Sequence, residues 1–280
     1  MEYISLLPYL NSGTIVIVHA HELYDNTPFL SWMARYFIRR AHIVIVPETN
    51  RLWILKISSL SNASFFFVPN RPLDDAISFA ETQLQTRDVF MKYMGSSQCS
   101  RYLIYQGAFM RRRCLHELIK GFKAVPFTDT GLILMGADFK SEIVRELIEL
   151  SKDDKRIVFL PRIPPPNHYF VARGCIGGIL LYAPISLNNI YCAPNKIFEY
   201  AVMGLGMILP DFPSMAHINR EFELGEVCNP TDPVSIRDAI IKLLHKNPAL
   251  HKRAAFNFLE STPKPMEYYC KIYDRIKSDL

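Results

Sequence analysis

No apolar run in this chain of 280 residues reaches the roughly 18 that a membrane-spanning helix requires. The first residues also lack the basic region and apolar core of a secretory signal. The expected location is therefore the cytoplasm, with contact to the inner face of a membrane through exposed basic and aromatic residues left open. The six cysteines (Cys99, Cys114, Cys175, Cys192, Cys228, Cys270) form no Cys-x-x-Cys pair and have no nearby His at ligand spacing. That speaks against a zinc site and fits reduced, mostly buried thiols. Gly-x-Gly-x-x-Gly, the Walker loop and the Gly-x-Ser-x-Gly elbow are all missing, as are short-period repeats and low-complexity segments. A long basic stripe is missing too: the formal charge is +5, and Lys and Arg are scattered except at Arg111, Arg112 and Arg113. Duplex nucleic acid is thus not an expected partner, whereas a local anion site is.

What is present is ordinary globular composition, with 49% hydrophobic and 21% charged residues, in a chain long enough for two domains. Apolar runs rich in β-branched or aromatic residues recur at 14–18 (TIVIV), 42–46 (HIVIV) and 64–68 (SFFFV), each followed by a helical pattern. Continuous apolar character, as opposed to strict alternation, implies strands covered on both faces of a parallel sheet. The pattern loosens after residue 69 and becomes rich in Gly, Ser and Gln near 90–100, where a linker is expected. A second series then begins at 102–107, 131–136, 156–161, 175–182 and 206–210, about five strands of a doubly wound sheet. Two helices are expected over 232–259, broken at Asn247 and Pro248, and a terminal helix over 265–277.

These patterns divide the chain into a partial first α/β domain (1–95), a complete second α/β domain (96–265) and a terminal helix (266–280). The first domain reads as incomplete, because three strands make a narrow sheet and the opening strand with its Gly-bearing turn is missing. Residues 1–13 read as the tail of a helix plus a turn. The chain is expected to start in mid-domain, with a second polypeptide supplying the remainder or with the chain itself a truncated product.

The most informative segment is LNNIYCAPNKIFEYAVMGLGMILPDFPSM, residues 187–215. A polar loop after a strand leads into a helix expected to open at Pro194, and Gly204 and Gly206 interrupt that helix before the next strand. A helix amino terminus at the carboxyl end of a parallel sheet offers free N–H groups and a positive dipole end, so a phosphate is the natural guest. PNKIFEYAVMGLGMI is similar to the signature of family-four GT-B glycosyltransferases, in which a small residue or Asn, a Lys and then a helical Glu precede a glycine and an apolar strand. The resemblance implies a GT-B fold, two Rossmann-like domains of parallel sheet flanked by helices, and a nucleoside diphosphate sugar as donor with no separate cofactor. It implies that Glu199 accepts hydrogen bonds from the ribose hydroxyls, as a two-oxygen acceptor suits a vicinal diol. Many relatives carry a further acidic residue eight positions earlier, where this chain has Tyr191. Backbone N–H groups of Tyr191, Cys192 and Ala193, with Pro194, Asn195 and Lys196, would then meet the sugar or diphosphate. The competing reading of Glu199 is a solvated helix carboxylate paired with Lys196.

YLIYQGAFMRRRCLHELIKGF, residues 102–122, resembles the family's strand, glycine, basic loop and helix. The resemblance makes Gly107 the turn that lets the backbone approach a ligand, Arg113 the principal diphosphate-binding cation, and Arg111 or Arg112 its second. A solvated arginine run is the alternative. FLPRIPPPNHYF (159–170) resembles the family's strand and loop that reach the nucleobase, which implies that the backbone of Arg162 and Ile163 reads the base edge, although a proline-rich turn is equally ordinary. VHAHELYDNTPF (18–29) is similar to a His-bearing stretch that faces the cleft in the family, which implies that His21 and Glu22 face the acceptor or the sugar, against a solvated or core histidine as the rival reading. No Asp-x-Asp occurs, so no metal ligand is nominated and a metal-independent reaction is expected.

The resemblance implies transfer of a sugar to an acceptor hydroxyl, with retention of configuration, on a glycan or lipid-linked acceptor in polysaccharide or lipopolysaccharide assembly. Arg113, Glu199 and His21 are the residues placed nearest the chemistry. Two rivals stand beside it: a non-catalytic sugar-nucleotide-binding relic or subunit, and a GT-B epimerase acting on the sugar nucleotide alone.

Overall fold

The computed structural model describes residues 14–72, 86–94 and 99–278. Residues 1–13, with their expected helix tail and turn, and residues 95–98 of the expected linker lie outside the described residues. The chain forms two compact units, Met1–Pro69 with Tyr269–Leu280, and Asn70–Tyr268.

In the first unit, strands β1 (Ile17–His19), β2 (Ile43–Val46) and β3 (Ser64–Phe67) alternate with helices α1 (Pro28–Arg40) and α2 (Thr49–Ser59). All pairings are parallel, in the order β1-β2-β3, with Val44 opposite both Val18 and Phe65. The central strand is buried along its whole length, which is why its sequence is an unbroken IVIV. Helix α1 starts at a proline, whose missing N–H costs nothing in a first turn, and ends on Arg39 and Arg40 at the negative dipole end. Helix α2 is capped by the Glu48 carboxylate, which accepts from the Arg51 backbone N–H at 2.7 Å. Ile38, Val44, Val46 and Leu55 make the core.

The second unit starts with α3 (Thr86–Met94), β4 (Arg101–Gln106), α4 (Leu115–Lys123), β5 (Thr130–Ala137), α5 (Glu142–Ser151) and β6 (Ile157–Pro161). It continues through α6 (Asn167–Arg173), β7 (Gly177–Ile179), α7 (Leu187–Ile190), α8 (Asn195–Val202), β8 (Gly206–Pro210), α9 (Pro213–Phe222) and β9 (Gly225–Cys228). Helices α10 (Pro233–His245), α11 (Pro248–Ser261) and α12 (Pro265–Ser278) complete the chain. Six strands pair in parallel in the order β6-β5-β4-β7-β8-β9. The sixth, β9, reads GEVC and escapes a search for apolar runs because an edge strand need not be apolar throughout.

Alternate residues of each strand feed opposite layers, as a pleated strand requires. Tyr102, Ile104, Ile133, Met135 and Met207 pack with Tyr200 and Phe258 on one face; Leu103, Tyr105, Leu132, Leu134 and Ile208 pack with Phe122 and Ile236 on the other. Helix α8 packs on its face against a glycine of β7. The fully buried Tyr200 ring occupies the space a side chain at Gly178 would need, since a Cβ there would lie 2.4 Å from Tyr200 Cδ2. Its hydroxyl donates toward the Ile179 carbonyl at 3.3 Å. The helix stops in a Schellman turn: Gly204 takes φ +68°, its N–H bonds to Ala201 O, and the Leu205 N–H reaches back to Tyr200 O. At the other end Pro194 is the N-cap (φ −76°, ψ 132°) rather than the first helical residue, a shift of one position from the sequence expectation.

Candidate functional site

The strand order of the second unit turns back on itself between β4 and β7. From β4 the chain steps outward through β5 and β6, then returns to β7 on the other side and continues to β8 and β9. Loops leaving the carboxyl ends of β4 and β7 therefore diverge, which opens a crevice at the place where parallel sheets bind ligands. A cleft of about 530 Å³ lies beside this switch point, at the carboxyl ends of β4, β5 and β6. Its floor is Gln106, Gly107 and Ala108 from the end of β4 and Met135 with Gly136 from β5. Arg162, Ile163 and Pro165 after β6, His168 and Tyr169 from α6, and Lys196 and Glu199 from α8 complete the wall.

The floor depends on glycine. Gly136 adopts φ +117°, and a Cβ there would stand 2.3 Å from the Gly107 carbonyl oxygen, so the turns after β4 and β5 lie backbone against backbone. The Gly107 N–H donates to Met135 O at 3.1 Å. Tyr105, just before it, donates its hydroxyl to Ala108 O at 2.7 Å and fixes the loop from below.

Glu199 is the polar centre of the cleft. Its side chain is 12% exposed, and Oε2 accepts from Lys196 Nζ at 2.5 Å and from Gln106 Nε2 at 3.3 Å. His168 Nε2 stands 3.8 Å from the same oxygen. Oε1 makes no hydrogen bond among the described residues. Burial lowers the pKa of His168, opposed by Glu199 and aided by Lys196, so the imidazole is neutral at pH 7. Burial, with Glu199 beside it, raises the pKa of Tyr169. The His168 and Tyr169 rings lie 3.9 Å apart, and His168 Nδ1 is buried without a hydrogen-bond partner.

The arginine triplet forms a 3₁₀ turn that ends on Cys114 in the left-handed conformation. The turn is fastened at the switch point, because the Ala183 N–H beyond β7 donates to the Arg112 carbonyl at 2.8 Å. The three side chains differ. Arg111 is exposed and pairs through Nη2 with both oxygens of Glu146, at 3.0 and 3.2 Å. Arg112 is exposed. Arg113 is half-buried, its guanidinium carbon is 4.1 Å from the Tyr182 ring centre, and its Nε is buried without a partner. Burial penalises the Arg113 charge, and the Tyr182 and Tyr105 hydroxyls more than offset this, so its pKa lies above the ordinary arginine value.

Of the residues singled out from the sequence, Gly107, Arg162, Ile163, Lys196 and Glu199 line one cleft. Arg112, Arg113 and residues 191–195 lie outside its lining. Cys192 and Pro194 are buried, Tyr191 and Ala193 are half-buried, and Asn195 is exposed. The turn before α8 is held from a distance: Asn70 Nδ2 donates to the Ala193 carbonyl at 2.8 Å. His21 belongs to the first unit, where it is exposed, lies 4.1 Å ring to ring from His19, and offers its carbonyl to the Arg51 guanidinium. Sequence reasoning passed over Gln106, Gly136, His168 and Tyr169. Gln106 did leave a signal, a polar side chain closing the apolar YLIY strand just before a glycine.

No family model matches the chain, and no curated protein matches it. Solved structures do. Anabaena Alr3699/HepE in complex with UDP-glucose superposes with a TM-score of 0.74 at 14% identity, over 94% of this chain and 72% of that one. A glycosyltransferase from Rickettsia africae ESF-5 gives 0.74 at 11% identity, over 94% and 71%. A UDP-forming α,α-trehalose-phosphate synthase from Burkholderia vietnamiensis gives 0.73 at 13%, over 99% and 69%. Identities this low speak to architecture alone: the chain has the α/β GT-B fold, with parallel sheets flanked by helices.

Proposed function

We propose that the chain is a glycosyltransferase that takes a sugar from a nucleoside diphosphate sugar and passes it to an acceptor hydroxyl. The observation that carries this reading is the Glu199 carboxylate at the switch point. One of its oxygens is clamped by Lys196 and Gln106 while the other has no partner among the described residues, in a cleft of small-molecule size. Such a group is preorganised to accept from a ribose hydroxyl without reorientation. In this reading the backbone of Arg162 and Ile163 meets the base. Arg113, beside the turn that precedes α8, stabilises the charge that grows on the departing diphosphate. UDP and UDP-glucose, which occupy structures of the similar HepE protein, are the first donors to try. Retention of configuration, a metal-independent reaction, and a glycan or lipid-linked acceptor in polysaccharide or lipopolysaccharide assembly on the cytoplasmic side complete the proposal.

Calorimetric titration with UDP, together with chromatography of the products from UDP-glucose and a panel of acceptors, tests it. Binding is expected to be saturable and to fall about tenfold or more in Glu199→Ala. Turnover is expected to produce a glycosylated acceptor and UDP. Binding without turnover on any acceptor would favour a binding relic, and conversion of the donor to an isomer would favour an epimerase. Absence of UDP, ADP and GDP binding alike would end the nucleotide reading.

A further inference from the structure

We propose that His168 is a specificity-determining residue for the pentose, its Nε2–H donating to a ribose hydroxyl that itself donates to Glu199. The proposal rests on the nucleotide reading above and adds a second group to it.

Three observations support it. First, the 3.8 Å between His168 Nε2 and Glu199 Oε2 is too long for a hydrogen bond, but it suits a shared oxygen. One hydroxyl oxygen can stand about 2.8 Å from both atoms, accepting from the imidazole and donating to the carboxylate. Second, the imidazole is 10% exposed in its side chain and lines the cleft, yet it makes no hydrogen bond to any described residue. Buried polar side chains are almost always paired within the fold, so a ring that packing alone explains would be better served by leucine. Third, the tautomer is set by its surroundings. Nδ1 is sealed from solvent with no partner, and a carboxylate faces Nε2, so the single proton of the neutral ring sits on Nε2 and points toward the gap. With Glu199 Oε1 accepting from the neighbouring hydroxyl, carboxylate and imidazole together recognise a vicinal diol.

The test is calorimetric titration of the full chain with UDP, 2′-deoxy-UDP and 3′-deoxy-UDP, in wild type, His168→Leu and His168→Gln. His168→Leu is expected to weaken UDP and one of the deoxy analogues about tenfold, and to leave the analogue lacking the shared hydroxyl unchanged. His168→Gln, whose amide nitrogen reaches close to the Nε2 position, is expected to recover part of the loss. Equal weakening of all three ligands, or of none, would overturn the proposal while leaving the nucleotide reading intact. Failure of the wild type to bind UDP, ADP or GDP would overturn both. Thermal midpoints of the variants identify any that fail to fold, and His168→Gln then carries the comparison alone.

Discussion

Gln106 and Glu199, separated by 93 residues, are joined by a hydrogen bond of 3.3 Å from Nε2 to Oε2. The bond ties the last residue of β4 to the middle of α8 and helps aim the carboxylate. Gln106→Leu keeps the side-chain bulk and removes the donor, leaving Lys196 as the only hydrogen-bonding partner of Glu199 among the described residues. UDP binding is expected to weaken about fivefold, by calorimetry, while the urea midpoint moves by no more than about 1 kcal/mol of stability. An affinity equal to wild type would show that Lys196 alone orients the carboxylate.

How far the sequence foretells this arrangement depends on how local its causes are. The apolar strands at 43–46, 101–106 and 130–137 are legible because a strand buried on both faces has no choice of composition. Glu199 and Lys196 are legible through the resemblance of their segment, PNKIFEYAVMGLGMI, to a known signature, whereas their spacing of one helical turn alone reads as an ordinary surface ion pair. Gln106 is visible only as a polar residue closing an apolar strand, and its role, like that of His168, is not legible, because it arises only where β4, α6 and α8 meet and no spacing within the chain records that meeting. The division of labour among Arg111, Arg112 and Arg113 is likewise tertiary: Glu146 on α5 claims the first and Tyr182 beyond β7 the third. Strand β9 is hidden in the sequence for a local reason, since an edge position tolerates Glu226 in its middle.

That division predicts unequal mutants. Arg113→Ala removes a half-buried guanidinium stacked on Tyr182 and is expected to lower turnover about a hundredfold, with Arg113→Lys recovering little, because an ammonium neither forks nor stacks. Arg111→Ala breaks an exposed ion pair with Glu146 and is expected to change turnover by less than about threefold and stability by about 0–1 kcal/mol. Steady-state rates of UDP release from UDP-glucose separate the two. Equal losses from both substitutions would mean that the turn acts as one charged patch.

The glycine floor gives a sharper structural test. A Cβ at Gly136 would fall 2.3 Å from the Gly107 carbonyl oxygen, and φ +117° is closed to L side chains. Gly136→Ala must push apart two main chains that have no flexible side chain to yield. A loss of about 2 kcal/mol or more is expected in urea unfolding, together with weakened nucleotide binding. Gly107→Ala is the milder partner, because its Cβ would meet the end of one side chain, Tyr105, with the hydroxyl at 3.0 Å and Cζ at 3.3 Å. A Gly136→Ala protein as stable as wild type would show that the two turns are free to separate.

Stability should also depend on pH through two buried histidines. His168 and His251 both have pKa values lowered from the ordinary 6.5, in each case chiefly by burial, with Lys196 and Lys246 respectively adding to the shift. Glu199 pulls the His168 value partly back, as Glu226 and a backbone hydrogen bond do for His251. In the unfolded chain each takes up a proton as the pH falls through about 6.5, while the folded chain resists until lower pH. In that interval the unfolded state binds more protons, so stability rises with pH. The histidine contribution is fully present above 6.5 and is lost progressively as the pH drops through that value toward the folded pKa values. Carboxylates such as Asp154, already shifted below 3.8, act in a separate and more acidic window. The thermal midpoint is therefore expected to be flat from about pH 8 to 7 and to fall between about 6.5 and 5. His251→Leu makes the clearest single variant: His251 is 3% exposed, its Nε2 is buried without a partner, and its ring packs against Gly206 and away from the cleft. Removing it should flatten part of that fall and leave UDP affinity unchanged. A midpoint that holds level down to pH 5 in the wild-type chain would mean that these rings reach solvent before they protonate.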